Sequence, residues 1–439
     1  MTDLGLSEKR KEEAQFDIFS LDEVPVVETR RFAARLAADV EETDWDDTEG
    51  YYVTRPGEIV DGRYRVLGAV GRGVFSSVLR AQDLNSERYV ALKVIRSNET
   101  MSKAALKEIQ VLKALESQQK THCVEFLGSC EYKSHQTLIF EAMAMNLRDV
   151  LKKYGKHVGV NVRSVKVYAG QLFLALRHLA KCKVVHADLK PDNILVSENN
   201  AVVKICDFGS AFFDDDPSDP APYLVSRFYR APEIILGIKY DRRVDQWSLA
   251  CCLFELYSGK VLFPGVDNNN MLLHFMNLKG RIPTKLLKAH RRAYSELLLL
   301  DPHFVQVDNK LMFQHRVFDK NTNEARLNLI DLPQKPKFSL KDILLQNRAG
   351  ADDHAAVNDL ADLCDLCLML NPEHRPSLND CLKHPFIQGR DDSAKKTTNS
   401  GPAPASSSLV NHNDIATTTT TASFLPPPEK IRPAAAGPP

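Results

Sequence analysis

Apolar and polar residues alternate in three neighbouring stretches, RYRVLGAV (63–70), SSVLRAQ (76–82) and RYVALKVIR (88–96), joined by Gly-bearing or polar turns. A period of two sends successive side chains to opposite faces, so three consecutive β-strands are expected. The period then changes. SKAALKEIQVLKALES (102–117) repeats its apolar residues at helical spacing, with Leu106, Ile109, Leu112 and Leu115 expected on one side. CVEFLGSC (123–130) and TLIFEAMA (137–144) read as two more strands. After residue 146 the pattern is mainly helical, in NLRDVLKKYG (146–155), VKVYAGQLFLALRHLAK (165–181) and RVDQWSLACCLFELYSG (243–259). The expected fold class is therefore α+β, a small antiparallel-sheet lobe with one main helix followed by a larger, mainly helical lobe. A cleft between two such lobes is a favoured ligand site.

This pattern runs from about residue 60 to 390, with the small lobe at 60–143 and the large lobe at 144–390. Residues 1–59 form a charged N-terminal extension, expected to be partly disordered, with the acidic run DVEETDWDDTEGYY at 39–52. Within it, Phe32, Leu36 and Val40 fall on one helical stripe, read either as a docking helix or as a loosely ordered one. Residues 391–439 are rich in Ser, Thr, Pro and Ala with few apolar anchors, so disorder is expected there.

Composition narrows the function classes. The formal net charge is zero, which gives no field to hold nucleic acid, and no direct nucleic-acid binding is expected. No apolar run reaches the ~18 residues of a membrane span, and the first 20 residues lack a signal-like stretch, so no membrane partner is expected. Nine scattered cysteines, several in apolar runs, read as reduced thiols of an intracellular protein. Cys364 and Cys367 form a lone C-x-x-C inside LADLCDLCLML, where helical periodicity favours a core face over a zinc or redox site. KGRIPTKLLKAHRR (279–292) holds six Lys/Arg and no acid; a solvated helix face and a docking site for acidic partners are equally consistent with it.

The candidate chemistry lies in the order of a few polar residues. GRGVFSSV (71–78) is a turn in which Gly71 and Gly73 let a backbone approach an anion, with N–H groups as donors. Lys93 in VALKV could pair with phosphates, and Glu108 on the following helix could hold that ammonium. VVHADLKPDNIL (184–195) supplies Asp188, Lys190 and Asn193, and CDFGSA supplies Asp207. Moving a phosphoryl group between oxygens requires cationic clamps, metal-holding oxygens and a group to orient the attacking hydroxyl. Asn193 and Asp207 are hard-oxygen ligands suited to magnesium. Asp188 would orient the hydroxyl and accept its proton, while Lys190 would neutralise charge on the moving group.

Taken together with APE (231–233), VDQWS (244–248) and NPEHRPS (371–377), these motifs in this order resemble a eukaryotic protein kinase over residues 60–390. The resemblance implies the bilobal protein-kinase fold, ATP and magnesium as cofactors, protein substrates and a monomer. It implies a buried Glu233–Arg375 pair, Asp245 bracing the catalytic loop, and Val78, Ala91 and Leu195 around adenine. The segment from Glu141 to Met143 would bond the edge of the base, with Phe140 as gatekeeper behind it. The Asp188-x-Lys190 spacing resembles Ser/Thr kinases. PYLVSRFYRAPE (222–233) and the long insert at about 265–355 resemble the CMGC group. DDTEGYYV, GVFSSVLRA, MNLRDVLKKYG and SGKVLFPG resemble its spliceosomal pre-mRNA-processing kinases, relatives of the DYRK family. That resemblance implies spliceosomal substrates and a nuclear location, with the cytoplasm as the alternative. Two rival readings are a DYRK- or CDC-like kinase of another pathway and a pseudokinase scaffold; the presence of Lys93, Asp188 and Asp207 speaks against the scaffold.

Three departures matter. Ser76 stands where most kinases have the third Gly of the turn. Ala187 stands where most have an Arg that receives an activation-loop phosphate, so that route is closed. Tyr223, four residues before Arg227 and seven before Arg230, offers another: a phosphotyrosine made by autophosphorylation and bound by both arginines. Arg230 also resembles the CMGC arrangement that turns the Val225 carbonyl away and tolerates Pro after the target residue. No Arg/Ser-rich extension of the kind splicing kinases often carry is present in the sequence.

Overall fold

The computed structural model describes residues 45–116, 121–156, 158–215, 224–318, 325–347 and 352–390. The first strands are β1 (Ile59–Val60), β2 (Tyr64–Arg72), β3 (Ser76–Asp83) and β4 (Tyr89–Ile95), followed by helix α1 (Glu99–Ala114), β5 (Phe126–Tyr132) and β6 (His135–Glu141). They form one antiparallel sheet in the order β1-β2-β3-β4-β6-β5. Strand alternation decides which residues meet a ligand. Leu79, Ala81, Val90, Leu92 and Val94 pack on one face with Tyr52, Val60 and Val66. The intervening Val78, Ala91 and Lys93 face the other way, and the register sets Val78 opposite Lys93 and Lys93 opposite Leu138.

Asn98 caps α1, its side chain accepting from Thr100 N and Met101 N. The buried stripe is Ala105, Glu108, Ile109, Val111 and Leu112, and Leu106 is 54% exposed. The expected stripe was drawn in steps of three, and each such step falls ~60° short of a full turn, so Leu106 lies ~120° from Leu112. Glu108 takes a place in the stripe instead, a charged residue that the apolar count passed over.

The second lobe begins with β7 (Met145–Asn146) and α2 (Val162–Lys181), then four short strands: β8 (Val184–Val185), β9 (Ile194–Val196), β10 (Val203–Ile205) and β11 (Phe212–Phe213). β9 pairs with both β7 and β10, and β8 pairs with β11. Two loops are thereby fixed side by side, 186–193 between β8 and β9 and 206–211 between β10 and β11. Beneath them runs α3 (Arg243–Ser258), buried from Val244 to Ser258, with Trp247 stacked on Phe263 and edge-on to Phe275.

The insert folds as α4 (Asn268–Lys279), α5 (Thr284–Arg292) and a three-stranded antiparallel sheet that the helical reading did not anticipate: β12 (Phe304–Val307), β13 (Lys310–Phe318) and β14 (Ala325–Asp331). Partners, most of them tertiary, answer the basic run 279–292. Lys279 meets Asp365, Lys285 meets Glu373, Arg291 meets Gln306 and Arg292 meets Glu296. The last long helix, α6 (His354–Cys367), buries Cys364 and Cys367 completely, the core face expected. At the other end, residues 45–58 pack on the sheet, with Tyr51 and Tyr52 buried, so the packed unit begins before the boundary drawn at residue 60. The stripe Phe32–Leu36–Val40 and the segment 391–439 lie outside the described residues. Among the described residues no helix is long and apolar enough to cross a membrane.

Candidate active site

Three charged residues from distant parts of the chain meet at the cleft. Lys93 Nζ donates to Glu108 Oε1 and Oε2 at 2.8 and 2.9 Å and to Asp207 Oδ1 at 2.8 Å. Burial disfavours the ammonium, yet Asp207 and Glu108 outweigh it and raise the Lys93 pKa above its ordinary value. Burial also pushes the Glu108 carboxyl up, with Lys93 opposing. Asp207 is lowered: burial works against its charge, and the adjacent Lys93 more than compensates. Asp207 sits at φ 61°, an uncommon backbone conformation for a non-glycine residue, and Phe208 beside it is buried edge-on against His186.

The loop 186–193 is held from below. Asp245 at the start of α3 accepts from the backbone N–H groups of His186 at 2.7 Å and Ala187 at 2.9 Å. Burial raises its pKa, and those two donors oppose the rise. Ala187 is fully buried with φ 62°, and His186 Nε2 lies 2.9 Å from Cys206 O, tying this loop to the one that carries Asp207. Asp188 is the hub. Its Oδ2 accepts from Lys190 Nζ at 2.8 Å and Asn193 Nδ2 at 3.1 Å, and its Oδ1 accepts from Ser226 N at 3.0 Å and Ser226 Oγ at 2.7 Å. Lys190 also reaches Ser226 Oγ at 3.1 Å.

Val78, Ala91 and Leu195 are each part-buried, and Phe140 is buried against Phe126 with ring centroids 5.7 Å apart. The Glu141 carboxylate is taken by Lys204 at 2.6 and 2.8 Å, and its N–H by Glu125 O. The peptide groups of Met143 make no backbone hydrogen bond among the described residues, which leaves a donor and an acceptor at the rim. A Cβ at Gly71 would meet nothing within 4 Å, and one at Gly73 would meet only Ser76 O at 3.8 Å. These glycines keep the turn bare toward the cleft.

A family model of the protein kinase domain matches residues 64–387. The chain belongs to the protein kinase family. The kinase is 41% identical over 357 residues to the serine/threonine-protein kinase prp4 of Schizosaccharomyces pombe, covering 80% of this chain and 72% of that protein. It is 40% identical over 351 residues to the serine/threonine-protein kinase prpf4B of Dictyostelium discoideum, covering 79% of this chain and 42% of that longer protein. Over 253 residues, 57% of this chain and 43% of the other, it is 38% identical to dual specificity tyrosine-phosphorylation-regulated kinase 3 of rat. It is thus a Ser/Thr protein kinase of the CMGC group, and membership implies use of ATP with a divalent cation.

The residues present suit such a cation. Asn193 spends its amide N–H₂ on Asp188 O and Oδ2, leaving its carbonyl oxygen to the cleft, and the Asp207 carboxylate is half exposed there. Among the described residues no cluster of three His, Cys, Asp or Glu side chains is disposed to hold a metal. Two protein oxygens completed by water and phosphate oxygens are a magnesium arrangement, not a dedicated cage.

Two residues at the site were not singled out from the sequence. Ser226 binds both Asp188 and Lys190, and its only local signal is its place in the 222–233 motif. Arg148 joins four elements. It donates to Asp192 at 3.1 Å, to the Tyr229 hydroxyl at 2.8 Å and to Glu255, while Tyr229 donates to Glu255 at 2.6 Å. Of the expected phosphotyrosine device, Tyr223 lies outside the described residues. Arg227 is exposed and donates to Val266 O. Arg230 is buried and donates to Leu224 O at 2.8 Å, to Val225 O at 2.8 and 3.1 Å and to Asn268.

Proposed function

We propose that this kinase transfers the ATP γ-phosphate to Ser/Thr hydroxyls of pre-mRNA splicing proteins in the nucleus, with Asp188 orienting the hydroxyl and taking its proton. Lys190 neutralises charge on the moving group, Lys93 held by Glu108 clamps the phosphates, and Asn193 with Asp207 holds magnesium. The metal, when bound, screens the phosphate charges; the work of the chain is to orient, clamp and deprotonate. The observation that carries this is the convergence of Lys190, Asn193 and Ser226 on one carboxylate, which aims Asp188 into the cleft. Val78, Ala91, Leu195 and the Glu141–Met143 segment hold adenine, a reading supported by the unbonded peptide groups of Met143. The splicing role draws on the motifs shared with pre-mRNA-processing kinases and on the similarity to prp4 and prpf4B. Its test is phosphosite mapping after acute inhibition of the kinase: loss of phosphate from splicing proteins within minutes is expected, and unchanged splicing phosphosites would overturn the role.

Two finer features belong to the same reading. Val225 is at φ 67° with its carbonyl accepting two bonds from Arg230, so the residue after the target needs no N–H to satisfy that carbonyl, and Pro is accepted there. Tyr223 is autophosphorylated, and its phosphate pairs with Arg227 and Arg230, Arg227 first because it is exposed while Arg230 is buried against Leu224 O, Val225 O and Asn268. Tyr223→Phe isolated from cells should phosphorylate substrate several-fold more slowly than wild type; equal rates would remove the switch.

A further inference from the structure

The tip of the glycine-rich turn has almost nothing of its own to hold it. Val74 is 68% and Phe75 60% exposed, and within the turn the backbone closure is Gly73 N to Ser76 O at 2.8 Å. Arg96 N, just past β4, donates to Phe75 O at 3.0 Å; the other contacts that reach it come from before the first strand of the sheet. Residues 45–53 form a tight hairpin, with Asp46 bridged to Tyr52, Val53 N bonded to Trp45 O, and Asp47 Oδ1 accepting from Glu49 N and Tyr51 N. One end is anchored on the sheet, where Asp46 Oδ1 lies 2.6 Å from the buried His135 Nε2. The other end is anchored beside the cap of α1, where Ser97 N donates to Gly50 O at 2.8 Å.

Between these anchors the Tyr51 hydroxyl donates to Val74 O at 2.8 Å and lies 3.1 Å from Gly73 O. Its ring is buried beneath the Arg72 guanidinium, 3.8 Å from the ring centroid, with Arg96 at 4.9 Å on the same ring. Arg72 is in turn paired with Asp47 at 2.8 Å and Glu49 at 2.9 Å. The hairpin therefore holds both the last residue of β2 and the two carbonyls at the apex of the turn.

We propose that Tyr51 is a positioning residue for the nucleotide, its hydroxyl fixing the height of the glycine-rich turn over the phosphates. A turn that must be ordered when nucleotide arrives loses affinity to that ordering; a turn held beforehand does not. The 45–53 hairpin is thus part of the ATP site, although it contributes no atom to the cleft. The proposal rests on the reading that residues 71–78 cover the phosphates.

Tyr51→Phe in the full-length chain keeps the buried ring and removes only the hydroxyl. KM for ATP with magnesium should rise about fivefold, the scale of one net hydrogen bond, with kcat within about twofold and the melting temperature unchanged. Amide hydrogen exchange at residues 72–76 should accelerate. The Asp47→Asn, Glu49→Gln double variant, which releases Arg72, should move KM the same way by a smaller factor. An unchanged KM, or a lower melting temperature with equal KM and proportionally lower activity, would reduce Tyr51 to a packing residue and overturn the proposal. Failure of the underlying site is read separately, from an Asp188→Asn variant that stays active.

Discussion

Two buried ion clusters, one within the second lobe and one joining the two lobes, are built to different ends. Glu233 and Arg375 meet with side chains 1% and 0% exposed, in a two-point contact of 2.6 and 2.8 Å. Arg375 spends its other donors on Met369 O and Arg243 O and lies over Trp247. Nothing there is left for a ligand. Lys93, Glu108 and Asp207 are as tightly paired, but Asp207 opens to the cleft, and burial raises the Glu108 pKa with Lys93 opposing. A closed cluster fixes geometry, whereas an open one retains charge for a reaction. Breaking a closed pair strands a buried charge; altering an open one costs catalysis first.

The largest effect is expected where an open group touches the reacting hydroxyl. Asp188→Asn should lower kcat by about 10²–10⁴-fold with little change in melting temperature; steady-state kinetics and calorimetry on one preparation would check both. Lys93→Met should cost about 10²-fold in activity, the scale of losing one preorganised electrostatic partner. Its cost in stability should be small, because a proton on Glu108 can replace the lost ammonium. The closed pair inverts this. Glu233→Ala should destabilise by about 3–5 kcal/mol, read by denaturant unfolding, with near-normal turnover per folded molecule. If Lys93→Met proves the more destabilising of the two, the contrast is wrong.

Arg148 tests the middle ground, since its partners include both a core residue, Glu255, and Asp192 beside Asn193, the proposed metal-holding residue. Arg148→Ala should cost about 1–3 kcal/mol and lower kcat several-fold, visible as a shift in unfolding midpoint and a modest loss of turnover. An effect that is absent at neutral pH concerns two neutral histidines in the insert. Burial lowers His290 to about 4 and His303 to about 3, with Leu236 O partly supporting the charge of the former and the neighbouring His290 opposing that of the latter. Both lie below the ~6.5 of an unfolded His. The unfolded chain therefore takes up protons first. Stability is unaffected above pH ~6.5 and falls as pH drops from there toward about 4, by about 1 kcal/mol per histidine per pH unit. Melting curves at pH 7.5 and 5 would show it, and His303→Gln should flatten the dependence.

Much of this site was legible because its residues sit at fixed offsets on elements with clear periods. Lys93 is placed by strand alternation, Glu108 by its distance along a capped helix, and Asp188, Lys190 and Asn193 by one short loop. Other features were legible in principle and were missed. The insert sheet has its signal in Asp308 and Asn309, both at positive φ between β12 and β13, a two-residue hairpin turn flanked by alternating residues. The pairing of Glu108 with Lys93 was expected, but its burial within the helix stripe was not, because an apolar stripe leaves out a charged residue. The rest was not local at all. Lys279 is answered by Asp365 and Lys285 by Glu373, more than eighty positions away, so the basic run read as a bare charged face.

By itself the sequence determined which residues lie on which element, because periodicity, caps and turns act over a few neighbouring positions. The proposed reacting groups followed from that order. Which charges are closed into structure and which stay open to a ligand was decided only by the tertiary fold, since that depends on partners brought in from distant segments: Arg375 for Glu233, Ser226 for Asp188, Asn268 for Arg230. The hold of Tyr51 on the glycine-rich turn is of the same kind, a contact across more than twenty residues that no local pattern encodes.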